Sequence, residues 1–180
     1  MQSIIEVMQN QLWFYLTTVG LISLCIGSFL NVVIYRLPLM MQREWQRECR
    51  LLLEDELTAN KSKQANINEP FNLVKPNSTC PKCKTAIKPW QNIPIISWLA
   101  LKGKCASCSN PISARYPAVE LITALLSLIV AYSFGATEQT LLYIFVTWIL
   151  VALTFIDIDH MLLPDQLTLP MVWLALIASV

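Results

Sequence analysis

Residues 12–35 read LWFYLTTVGLISLCIGSFLNVVIY, 24 consecutive positions without a charged side chain. At about 1.5 Å per residue, a helix of that length crosses the ~30 Å apolar slab of a bilayer. Trp13 and Tyr15 near its start suit a headgroup interface. Arg36-Leu37-Pro38 is expected to stop it, because a prolyl ring removes an N–H and crowds the preceding turn. Outward from this run lie two more. Ala118 to Phe134 is interrupted only by Glu120, and Leu141 to Ile156 carries no charge. A fourth, Leu167 to Val180, follows Asp165 and is read as a span cut in mid-helix. The expected fold class is an all-α integral membrane protein. It has about four transmembrane helices, the last truncated, and a small cytoplasmic zinc-ribbon-like loop domain between helices 1 and 2.

The composition agrees. Of 180 residues, 55% are hydrophobic and 14% charged, against roughly 25% charged in an ordinary soluble domain. That excludes a disordered chain, a coiled coil and a nucleic-acid-binding tail. The net charge of +1 hides an asymmetry. All 13 Lys and Arg lie between Arg36 and Arg115, with six of the 12 acids. Cytoplasmic loops retain basic residues near the ends of spans. The central loop is therefore expected in the cytoplasm and the N-terminus outside, which returns residues 157–165 to the cytoplasmic side. Met1 to Asn10 has no basic residue, so the first run reads as a retained helix rather than a cleaved signal.

Four units follow. Residues 1–36 hold the first span. Residues 37–70 form a cytoplasmic amphipathic insert (helical over Leu39 to Leu57) and a polar linker from Thr58 to Pro70. Residues 71–117 form a cysteine loop, and residues 118–180 begin a multi-helix domain. The loop carries Cys80-Pro81-Lys82-Cys83, then 21 residues, then Cys105-Ala106-Ser107-Cys108. Two C-x-x-C turns present four thiolates tetrahedrally to one zinc ion. A closed tetrathiolate site is structural, and it would staple a segment too short and polar for a core of its own. A thioredoxin-like redox pair would need a βαβ context, which this stretch lacks. Cys25 reads as a small apolar residue of helix 1 and Cys49 as an unpaired thiol on the insert.

Three acids cluster after the third apolar run, in Asp157-Ile158-Asp159-His160-Met161-Leu162-Leu163-Pro164-Asp165. Ionisable groups at a bilayer margin are costly and tend to serve function. Asp157 follows the last apolar turn and is the acid expected to be partly desolvated. Two neighbouring carboxylates that share a proton activate a water, as in aspartic proteases. The same acids would equally end a helix in water, and a metal site of Asp, Asp, His and Asp is a third reading. His160, the single His, reads as a surface residue rather than a base. Gly27, Ser28 and Asn31 share one face of helix 1, suited to close packing against another helix. Arg115 and Glu120 flank the start of helix 2, either as an ion pair or as separate interface anchors.

Four segments together resemble the type IV prepilin peptidase family, the leader peptidase/N-methyltransferases of the A24 class. They are Gly27-Ser28-Phe29-Leu30-Asn31 through Pro38; the paired C-x-x-C loop with Ile93-Pro94-Ile95-Ile96-Ser97-Trp98-Leu99 between the pairs; Pro111-Ile112-Ser113-Ala114-Arg115-Tyr116-Pro117-Ala118-Val119-Glu120; and the aspartate segment ending Leu163-Pro164-Asp165. They run in the family's order over residues 27–165.

The resemblance implies a multi-pass aspartic endopeptidase of the bacterial inner membrane, with a periplasmic N-terminus and with the cysteine loop and aspartate segment cytoplasmic. It cuts the basic leader from type IV prepilins or type II secretion pseudopilins. It then methylates the new N-terminus with S-adenosylmethionine. Asp157 matches the first aspartate of the catalytic dyad, and Asp159 and Asp165 match accompanying acids of the motif. Cys80, Cys83, Cys105 and Cys108 match the zinc loop of the methyltransferase-associated region. The partners implied are the prepilin or pseudopilin substrates and the bilayer, with no nucleic acid. The family's second catalytic aspartate lies in a G-x-G-D motif. None of Gly20, Gly27, Gly103 and Gly135 forms one. The chain is thus expected to be an N-terminal portion that is inactive alone. The alternatives are a zinc-ribbon membrane adaptor and an inactive truncated remnant.

Overall fold

A computed structural model of the chain describes residues 11–54, 72–74, 77–80 and 82–178. Helix α1 runs Leu12–Glu54, α2 Ile96–Ala100, α3 Arg115–Phe134, α4 Glu138–His160 and α5 Asp165–Ala178. A single 3-10 turn covers Pro89–Asn92. Among the described residues there is no strand, only two isolated bridges. Three helices are long and apolar enough to cross a membrane: Leu12–Leu52, Arg115–Phe134 and Glu138–His160. They coincide with the first three apolar runs. The fourth run falls on α5, whose 14 residues contain Pro170. The linker expected at Thr58 to Pro70 and the N-terminal Met1 to Asn10 lie outside the described residues.

One expectation fails. Arg36-Leu37-Pro38 does not stop the first helix; α1 continues for 43 residues with Pro38 inside it. An interior proline costs about 3 kcal/mol. Here the ring is fully buried, and Leu37 before it is 4% exposed within the main core. Burial of both side chains offsets the lost hydrogen bond. Arg36 is buried too, and its Nη1 donates to the carbonyls of Asn72 (2.9 Å) and Leu73 (3.2 Å). The loop that follows the insert is thereby pinned to the middle of α1.

The core lies where α1, α3 and α4 meet. Leu30, Val33, Ile34 and Leu37 pack with Val119, Val151, Ala152 and Ile156. A second cluster, at the other end, joins Tyr15 and Val19 to Ala131 and Ile144. Trp148 packs against both, and its Nε1 donates to Ser127 Oγ at 2.9 Å. Gly135 ends α3 at φ 68°, a left-handed value that favours glycine. Its carbonyl accepts from Tyr15 and from Thr140, which ties the α3–α4 turn to the start of α1. Thr137 caps α4 by accepting from the Thr140 N–H.

The small face of α1 packs as expected. A Cβ on Gly27 would stand 2.8 Å from the Glu120 Cα and 3.3 Å from the Thr123 Cβ. Asn31 donates across to the Tyr116 carbonyl at 3.0 Å. Gly27→Val is therefore expected to cost about 1–3 kcal/mol by overpacking, read as a lower thermal midpoint in detergent. Gly20→Ala is the control. Its Cβ would meet only Leu128 methyls, at 3.6 and 3.8 Å, so little change is expected.

Outward, α3 exposes Leu121, Ile122, Leu125, Leu126, Ile129 and Tyr132. An apolar face this continuous is unfavourable in water. It suits contact with lipid, where van der Waals packing and hydrogen bonds hold helices together.

Candidate functional site

The four loop cysteines converge. Their Sγ atoms all lie within 4.8 Å of one another, and Cys80 Sγ stands 3.7 Å from Cys108 Sγ. Four sulfurs at ~2.3 Å from one tetrahedral ion are separated by about 3.8 Å. The donor set therefore fits a metal ion.

Two matched turns build it. In the first, the Cys80 N–H donates to the Thr85 carbonyl, and the Lys84 N–H donates back to the Cys80 carbonyl. In the second, Cys105 pairs with the Asn110 carbonyl and Ser109 with the Cys105 carbonyl. The residue after the second cysteine is left-handed in each, Lys84 at φ 59° and Ser109 at φ 55°. The bridges Thr79–Ala86 and Lys104–Pro111 close the two turns. This internal echo is geometric; the residues between the cysteines differ, so periodicity in the sequence does not reveal it.

The sulfurs are electrostatically coupled. Hydrogen bonds with the Thr85 side chain and backbone hold the Cys83 thiol down at about 6. Backbone hydrogen bonds from Cys108 and Ser107 lower Cys105. At Cys108 the Asn110 N–H favours the thiolate, yet burial and the other three sulfurs push the thiol up to about 11. Four thiolates this close need a cation, which a divalent metal supplies.

Between the two turns the loop is anchored twice. Trp98 lies over Gly103, where a Cβ would meet the ring at 2.9 Å, and its Nε1 donates to the Ile112 carbonyl. Ile95 stands at φ 57°, a strained value for a β-branched residue. Its N–H donates to Glu120 Oε2 at 2.7 Å, and Ser28 on α1 hydrogen-bonds the same carboxylate. Glu120 thus joins the loop, α3 and α1.

Asp157 and Asp159 fall on one helix and Asp165 on the next. Asp157 and Asp159 sit in the last turns of α4, which ends at Met161 in the left-handed conformation, its N–H bonded to the Asp157 carbonyl at 2.8 Å. Asp165 opens α5 after the buried Pro164, whose carbonyl accepts from Leu167 and Thr168. An acid there complements the helix dipole. Asp157 is exposed in the chain's own packing, so the desolvation expected of it is not supplied by the described residues. His160 is exposed, as expected.

Asp159 is different: Arg115 Nη1 and Nη2 donate to its two oxygens at 2.7 and 2.5 Å. Arg115 therefore does not pair with Glu120, which sits one and a half turns further along α3 and is turned to the loop. The sequence offers one signal for the Glu120 contact. It is the single acid inside an apolar run, and such a group needs partners. The Arg115–Asp159 pair also places the loop end of α3 and the aspartate end of α4 at the same end of the bundle.

The family described as Bacterial Peptidase A24 N-terminal domain matches residues 21–134, and the Type IV leader peptidase family matches residues 144–180. Among similar proteins, the prepilin leader peptidase/N-methyltransferase of Pseudomonas aeruginosa is 54% identical over 172 residues, 94% of this chain and 56% of that protein. That of Aeromonas salmonicida is 51% identical over 173 residues, 96% of this chain and 58% of the relative. That of Legionella pneumophila is 48% identical over 170 residues, 94% and 57%. The chain thus spans a little over half the length of these relatives. No solved structure matches it.

Proposed function

Since the chain belongs to the bacterial A24 type IV leader peptidase family, we propose that it carries the first half of a membrane aspartic endopeptidase site. Its substrates are type IV prepilins or type II secretion pseudopilins. Their basic leader is cut at the cytoplasmic face of the inner membrane, and the new N-terminus is methylated with S-adenosylmethionine. The observation that carries this reading is the Arg115–Asp159 contact. It draws the cysteine loop and the aspartate segment together at one end of three membrane-length helices.

In this reading the N-terminus is periplasmic, and both the loop and the aspartates face the cytoplasm. Residues 1–36, 37–70, 71–117 and 118–180 are first span, amphipathic insert, metal loop and peptidase region, the first two sharing α1. A fourth span begins at α5. Four soft thiolates select zinc, held as a structural ion by Cys80, Cys83, Cys105 and Cys108.

Asp157 acts as one member of a proton-sharing pair. In such a pair the ionised carboxylate takes a proton from the attacking water while its protonated mate hydrogen-bonds the scissile carbonyl, so Asp157 by itself fills only one of the two roles. Asp165 opens the next helix and adds negative charge that draws the basic leader by attraction. A prepilin's apolar helix lies in the bilayer, which presents its leader junction at the interface where Asp157 stands.

The test uses membranes containing the complete gene product and a prepilin substrate. Leader removal followed by methyl transfer is expected. The 180-residue chain alone, which has no G-x-G-D aspartate, is expected to cut nothing. Cleavage by this chain that disappears in Asp157→Asn would show that its own residues complete the pair.

A further inference from the structure

Asp157 and Asp159 stand two positions apart on the continuous helix α4. Such positions lie about 200° apart around the axis, so their side chains leave on opposite faces. The contacts show which face each takes. Asp159 turns toward α3, where both of its oxygens are held by the planar fork of Arg115. The same guanidinium reaches the Phe155 carbonyl at 3.5 Å and lies 5.4 Å from the Phe155 ring centre. Asp157 is exposed, and its carboxylate has no partner among the described residues. Carboxylates that share a proton stand about 3 Å apart. Two side chains on opposite faces of one helix do not reach that separation.

We propose that Arg115 and Asp159 form a strut that positions Asp157, so that Asp159 is a positioning residue. This rests on the reading of Asp157 as a catalytic acid. Bidentate pairing fixes direction as well as distance. It sets the rotation of the last turn of α4, just before the chain reverses at Met161. Arg115 follows Cys108 by seven residues and opens α3. The strut therefore references the aspartate helix to the end of the thiolate loop. With both oxygens engaged, Asp159 is also withheld from the substrate's basic leader.

The experiment uses the complete enzyme in membranes, with Asp157→Asn as the inactive reference. The variants are Arg115→Asp, Asp159→Arg, the two combined, and Asp159→Asn. Readouts are kcat, KM and the pH profile of leader cleavage, with the thermal midpoint in detergent. Each single reversal is expected to lower kcat by about 10–100-fold, the size of a positional error, with the shape of the pH profile kept. The double swap is expected to recover activity to within several-fold of wild type, and coupled residues show such non-additivity. Asp159→Asn is expected to stay well above Asp157→Asn. The proposal is overturned if Asp159→Asn is as inactive as Asp157→Asn at an unchanged midpoint, or if the double swap is no better than the worse single. Should the wild-type enzyme cut no leader at all, the peptidase reading falls and the midpoints judge the strut. Losses restored by the swap support it, and additive losses overturn it.

Discussion

Asp157→Asn in the complete enzyme is expected to lower the rate of leader cleavage by about 10²–10⁴-fold, the usual contribution of a positioned acid or base. The amide matches the carboxyl in shape but neither accepts nor releases a proton near neutral pH. Asp157 is exposed, and its side chain makes no hydrogen bond or ion pair among the described residues. The thermal midpoint and bound metal should therefore stay at wild-type values, since isosteric surface changes rarely exceed about 0.5 kcal/mol. On the proposed reading the carboxylate serves cleavage alone, so methylation of a synthetic peptide that already lacks its leader is expected to continue. The measurement is a single-turnover cleavage assay run beside a methyl-transfer assay on the same preparation. Retention of wild-type cleavage would remove Asp157 from the chemistry. Loss of both reactions together with the midpoint would make it a folding residue.

The second large effect concerns the thiolates. Wild-type protein is expected to hold one zinc per chain. Cys80→Ser combined with Cys83→Ser should abolish binding, with elemental analysis as the readout. Cys80 is the buried member of the four, and Cys83 has the thiol most easily ionised. Structural zinc contributes apparent free energies of about 10–16 kcal/mol in small metal domains. Apart from the metal, the loop between the turns is held by Trp98 on Gly103 and Glu120 on Ile95, and its start by Arg36 on Asn72 and Leu73. Residues 77–112 should therefore become sensitive to limited proteolysis, while the membrane helices stay protected. The pH dependence has a definite sign. Protons compete with the ion for sulfur, so zinc is retained at neutral and alkaline pH and released as the pH falls into the acid range. Wild-type protein purified without any bound metal would defeat this account.

Much of the architecture is legible in the residues. Long uncharged runs give the three membrane-length helices, because only an internally hydrogen-bonded helix satisfies its backbone in lipid. The C-x-x-C spacing gives the converging sulfurs, since a tetrahedral ion demands two close pairs. Gly27 announces a close approach, and α3 meets it there. The sequence reading fails at Pro38, for a physical reason. Local propensity says stop, but the ring is fully buried beside Leu37, whose core cluster includes Val119, Val151, Ala152 and Ile156 from other helices, and tertiary packing outweighs propensity. The partners of Arg115 and Glu120 are illegible for the same reason. Arg115 reaches 44 residues along the chain to Asp159, and Glu120 reaches back 25 to Ile95. Spacing within a helix carries no record of what another helix brings alongside.

The unbroken α1 has a mechanical consequence. Its 43 residues make a rod of about 65 Å, of which a ~30 Å bilayer takes up less than half. The remainder is an outboard lever, its fulcrum near Arg36, where the cysteine loop is fastened. A lean of about 10° in the lipid would swing the distal tip by roughly 5 Å and leave the fastening almost still. Changes in bilayer thickness would thus be felt near Arg50, while the fastening at Arg36 stays close to the pivot.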